Sequence, residues 1–163
     1  MKQRRFWKTL VAVFFVWWST CHAEQAFHRA SCEFTAAFPV SDQLVIEGDT
    51  TRTPYEALPF LSAKCSKCPK SCRTRRDIED QLKTALIEQY ELKDYSFARE
   101  SPESAGFAIS GVTYKENSET RIRVRVLFGD QSIFILSVVE PVANDGSTST
   151  KFLASARRGR REP

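Results

Sequence analysis

The chain has 163 residues, with 24 Lys+Arg against 20 Asp+Glu and a formal charge of +4. Four of the cations (Lys2, Arg4, Arg5 and Lys8) fall in residues 1–23, which hold no acid, so the other 140 residues balance 20 against 20. A neutral body argues against nucleic acid as a partner, and its length suits one hydrophobic core in one domain.

The opening MKQRRFWK is basic, TLVAVFFVWW is apolar, and STCHA ends in small residues. These are the three parts of a secretory signal peptide, with Ala23 at the −1 position of the cut and Cys21 at −3. The apolar run is shorter than the ~20 residues of a membrane span. Residues 1–23 are therefore expected to be a signal peptide, leaving no integral membrane span after cleavage. An uncleaved N-terminal anchor is the alternative. The expected location is the periplasm or the exterior.

SCEFTAAF alternates, with Cys32, Phe34, Ala36 and Phe38 on one face, which predicts a half-buried strand ended by Pro39. QLVIE is a short apolar run stopped by Gly48-Asp49. TRTPYEALPFLSAK, with two prolines, reads as extended edge chain or loop. Ile78, Leu82, Ala85, Leu86 and Tyr90 recur at helical spacing and predict the main helix over about 74–91. Thr74 and Asp77 form a variant capping box at its start.

Four strand-like segments follow, DYSFARE, GFAISGVTYK, TRIRVRVLF and SIFILSVVE, joined by short turns. Short connections predict an antiparallel meander. SIFILSVV is apolar on both faces, as a central strand is. ANDGSTSTK reads as a polar loop and FLASARR as a short closing helix anchored by Phe152 and Leu153. The expected fold class is α+β: a mainly antiparallel sheet packed by one long helix and a short C-terminal helix. Residues 24–156 form the single domain, and 157–163 form a basic disordered tail.

The segment KCSKCPKSC poses the sharpest chemical question. With Cys21 in the signal peptide, four cysteines remain: Cys32, Cys65, Cys68 and Cys72. An even count in an oxidising compartment points to two disulfides, with the pairing open. Three cluster cysteines cannot all pair among themselves, so at least one must pair with Cys32. That bond would tie the first strand to the segment before the helix. A Cys₄ zinc site is one alternative. Another is thiol-disulfide exchange at Cys65-Ser66-Lys67-Cys68, whose lysines would favour the thiolate.

Lys64, Lys67, Lys70 and Arg73 lie in a basic run that suits an anionic headgroup or a solvated loop. Arg121, Arg123 and Arg125 sit about 7 Å apart on one strand face. They read either as an anion-binding stripe or as the water-facing side of the sheet, balanced by nearby carboxylates such as Glu116 or Glu119. The chain has no G-x-S-x-G, H-E-x-x-H or P-loop, and His28 is its one histidine outside residues 1–23. No catalytic residue, metal site or cofactor is expected.

SCEFTAAFPVSD resembles the opening strand of small exported bacterial proteins with a PsbP-like α/β/α sandwich. RIRVRVLFGDQSIFILSVV and FLASAR are similar to the final strands and closing segment of that group. The resemblance implies a binding or accessory role in the periplasm or envelope, and it transfers no functional residue. The expected function is therefore binding, not catalysis, with an unknown protein or an anionic envelope ligand as partner. The alternatives are thiol-disulfide exchange or metal handling by the cysteine cluster, and a peripheral protein holding anionic surfaces through its basic segments.

Overall fold

In a computed structural model, residues 25–39, 43–68, 76–100, 105–115 and 118–159 are described. Seven strands form one antiparallel sheet. They are β3 (Val45–Glu47), β4 (Thr50–Arg52), β5 (Phe60–Lys67), β6 (Lys93–Arg99), β7 (Gly106–Lys115), β8 (Ser118–Phe128) and β9 (Ser132–Pro141). Their order is β3-β4-β5-β9-β8-β7-β6. A smaller sheet has the order β1-β2-β10, built from β1 (Gln25–Phe27), β2 (Phe34–Phe38) and β10 (Arg157–Arg158). The helices among the described residues are α1 (Arg76–Gln89) and α2 (Ser147–Ser155).

The meander expected for the second half is present as β6 to β9, and β9 is the middle strand of the seven. Its period of two sends side chains to both faces. Phe134, Leu136 and Val138 are buried against β1, β2 and α2. Ile133, Ile135 and Val139 face the opposite way, toward the α1 side. Both faces are covered, so a strand with apolar residues on both faces is stable there.

The face under the small sheet is rich in phenylalanine. Phe134 packs against Phe27 and Phe34, with ring centroids 5.1 and 5.6 Å apart, and Phe38 meets Phe152 at 4.7 Å. On the other face, Leu86 of α1 is buried, while Ile78, Leu82 and Ile87 are half-buried. They cover Phe107, Ile109, Ile122, Val124, Val126 and Phe128.

Several expectations are corrected. The fold is mainly β, not α+β with one long helix: among the described residues α1 has 14 residues and α2 nine, beside ten strands. The excess of strand comes from residues 43–67. Prolines 54 and 59 lie in the loop between β4 and β5, so neither interrupts a ladder. FLSAKCSK is therefore free to form an eight-residue strand paired on both sides. Ala85 is exposed and does not share the buried face of α1. Helix α2 takes in Ser147–Lys151, which reads as loop in sequence. The basic tail does not start as disordered chain, because Arg157 and Arg158 pair with Thr35 and Phe34 of β2.

Candidate functional site

Cys65 lies within β5, not in a surface loop, and it is bonded to Cys32 just before β2. Their Cα atoms are 6.1 Å apart, and the bond joins the small sheet to the large one. The expected tie between the first strand and the cluster is present, with Cys65 as the partner. Cys68 is also disulfide-bonded. Cys65 and Cys68 are thus not bonded to each other as a C-x-x-C pair. Disulfides of this kind belong to an oxidising compartment. Cys72, Lys70, Arg73 and the cleavage position Ala23 lie outside the described residues.

Next to Cys32, Glu33 holds a corner of the molecule together. Its carboxylate accepts hydrogen bonds from the Gln131 backbone N–H at 2.8 Å and the Ser132 hydroxyl at 3.1 Å. Arg158 pairs with Glu33 at 2.9 Å and with Asp130 at 2.6 Å. Burial pushes the Glu33 carboxyl up, but the bonds from Gln131, Arg158 and Ser132 outweigh it and hold the group below its usual range. A Cβ at Gly129 would meet the Glu33 carboxylate, so a larger residue there would push that carboxylate away from its partners.

The arginine face of β8 is neither an open anion stripe nor a water-facing side. Ile122, Val124, Val126 and Phe128 do share one face, as their spacing requires, and the arginines take the other. That other face lies under α2 and the turn before it. Arg123 pairs with Glu140 at 2.7 Å and reaches the Thr150 hydroxyl and the Gly146 carbonyl. Arg121 donates to the carbonyls of Val142 and Asn144, and Arg125 binds Glu100 and the Leu153 carbonyl at 2.7 Å. Glu140 is 1% exposed and also accepts a 2.5 Å bond from Ser149. The three guanidinium groups are structural, spent on neutralising a buried acid and tying down the last helix.

Glu140, Glu33, Asp130 and Ser149 were not singled out in sequence. For Glu140 the signal exists: it is in phase with Phe134, Leu136 and Val138, so the pleat buries it. For Glu33 there is none, since its partners lie some hundred residues away in sequence.

Of the other expected anion-binding residues, Lys64 is exposed and pairs with Asp49 at 3.8 Å, and Lys67 is exposed at the end of β5. Two shallow depressions exist among the described residues. One of about 420 Å³ lies between α1 and β6, lined by Asp80, Lys83, Ile87 and Tyr95. The other, of about 310 Å³, lies beside Glu140 and the start of α2. Among the described residues, no group of three or more His, Cys, Asp and Glu is placed to hold a metal, and no helix is long and apolar enough to cross a membrane. The loop between β4 and β5 exposes Tyr55 and Leu58. Tyr55 is 70% exposed, stacks on Phe60 and carries the Arg52 guanidinium 3.7 Å from its ring centre.

No protein-family model matches the chain, and no curated protein matches it in sequence. Among solved structures, it is similar to a crystal structure from Bacteroides thetaiotaomicron VPI-5482, with 12% identity and a TM-score of 0.56. The alignment covers 85% of this chain and 49% of that one, so the chain spans about half the length of its structural neighbour. At this identity the likeness is one of fold alone.

Proposed function

We propose that this is an exported protein of the periplasm or envelope that acts by binding rather than by chemistry. The observation that supports the reading most is the Cys32–Cys65 bond, which staples two layers of a small fold together. A bond in that position needs an oxidising compartment, and the basic-apolar-small pattern of residues 1–23 is a route to one. The likeness of residues 31–42 and 121–139 to small exported PsbP-like proteins supports the same role. Because Arg121, Arg123 and Arg125 are engaged internally, the binding surface must lie elsewhere. The loop between β4 and β5, with Tyr55 and Leu58 exposed, together with exposed Ile46 on β3, offers apolar surface to a protein partner.

The metal reading needs free thiolates, and exchange at the C-x-x-C needs Cys65 and Cys68 bonded to each other in the oxidised form. A partner for Cys65 in Cys32, and a disulfide at Cys68, weigh against them.

The test is the intact mass of protein recovered from fractionated cells, with and without reduction before alkylation. The reading expects a chain starting at Glu24 in the exported fraction, taking up no alkyl groups until reduced. A chain starting at Met1 in the cytosol, with five alkylatable thiols in the native state, would overturn it.

A further inference from the structure

The C-terminal segment closes an edge of β2 by an unusual mixture of contacts. The Ser155 hydroxyl accepts a hydrogen bond from the Ala37 N–H at 2.9 Å and lies 3.2 Å from the Ala37 carbonyl. One side chain thus stands in for a strand residue. Two positions along β2, the backbone of Arg157 pairs with Thr35, and Arg158 pairs with Phe34. The Gly159 N–H then donates to the Glu33 carbonyl at 2.8 Å. The strap ends on the residue that follows Cys32.

Arg158 supplies the second half of the argument. Its two acidic partners belong to different layers: Glu33 precedes β2 in the small sheet, and Asp130 is in the β8–β9 turn of the large one. One guanidinium can bridge both only while the layers keep their separation. The same two layers are joined by the Cys32–Cys65 bond, one residue from Glu33. The turn that carries Asp130 is in turn held by the Cys68 N–H, which donates to the Gln131 carbonyl at 2.8 Å. The seat of the strap is thus assembled by disulfide-bonded cysteines.

We infer that residues 155–159 are a latch whose docking on β2 is coupled to the Cys32–Cys65 disulfide. The bond preorganises Glu33 and Asp130 for Arg158, so opening it loosens the latch. Coupling of this kind is reciprocal: the docked latch also makes the bond harder to open. The opening step is exchange with a dithiol reductant. The S–S bond breaks, Cys32 and Cys65 each gain a proton and become thiols, and the dithiol closes to a disulfide. This inference concerns regulation of the fold and stands whether or not the binding role does.

Hydrogen exchange on the full disulfide-bonded protein tests it. The Gly159 amide is followed beside amides of β7 and β8 in oxidised protein, in protein reduced with dithiothreitol, and in the Cys32→Ala/Cys65→Ala variant. The expected result is at least tenfold faster exchange at Gly159 on loss of the bond, with Ile109 and Val124 unchanged. Unchanged exchange at Gly159 would overturn the inference, and so would joint loss of protection in β8, since that is global unfolding. An independent arm uses Arg158→Gln, which keeps both cysteines. It is expected to shift the dithiol equilibrium of the Cys32–Cys65 bond about threefold toward the reduced form. No shift would refute the reciprocity.

Discussion

The two faces of the seven-stranded sheet are covered by unlike material. One lies under a second sheet and α2, with a disulfide, a buried acid and three engaged arginines around a phenylalanine cluster. The other lies under α1, where Leu86 is buried and the neighbouring helix residues are only half so. The first face is specified by directional and covalent contacts; the second depends mainly on apolar area, with the Arg99–Glu79 pair at 2.7 Å as a directional tie at its edge. Apolar contact tolerates small displacements that hydrogen-bonded ion pairs do not. The small-sheet side should therefore be the rigid half and the α1 side the adaptable one.

Substitutions can break or sharpen that contrast. The largest effect is expected for Phe134→Ala, which opens a cavity between Phe27 and Phe34 and should cost about 4 kcal/mol in urea denaturation. Glu140→Ala should cost about 3 kcal/mol, because Arg123 keeps its charge after losing its counterion. On the opposite face, Leu86→Ala should cost about 2 kcal/mol, the low end for a buried leucine, since its neighbours can settle into the space. A larger loss at Leu86 than at Phe134 would reverse the ranking of the two faces.

Acid should act on the small-sheet side first. The Glu33 carboxyl is held below 4.5, its ordinary value, so its contribution to stability is complete above that pH. The contribution is lost as pH falls through the lower folded value. Protection of the Gly159 amide should therefore decline below about pH 4.5. In Glu33→Gln that response should be absent. Smallest of all, Lys64→Ala should change stability by less than about 0.5 kcal/mol, because its pair with Asp49 is exposed.

Much of the sheet was legible because period-two patterns report directly on burial. The alternation in SCEFTAAF put Phe34, Ala36 and Phe38 on one face, and all three are buried. The meander followed from short turns. Cys32 was legible as a partner of the cluster by parity alone, but Cys65 was not, because choosing it requires knowing that β5 runs through the cluster. The arginine stripe had the right periodicity and the wrong environment. Alternation says that two faces differ; it does not say that the polar one meets water. Here α2 and Glu140 meet it instead, and that depends on a contact between β8, β9 and the closing helix. The share of strand was underestimated because residues 43–67 looked broken by proline when only their loop was.

The arginines of β8 also bear on how the chain avoids a wrong structure. A one-residue slip of β8 against its neighbours would exchange its two faces. Arg121, Arg123 and Arg125 would then enter the layer of Phe107, Ile109 and Leu86, and Glu140 would be left without its counterion. Each displaced charge would cost several kcal/mol with nothing to neutralise it. A strand with two apolar faces, such as β9, cannot reject a misaligned partner by itself. Placed beside it, a strand with three cations in phase turns a misalignment that hydrophobic collapse would tolerate into one that the chain must undo.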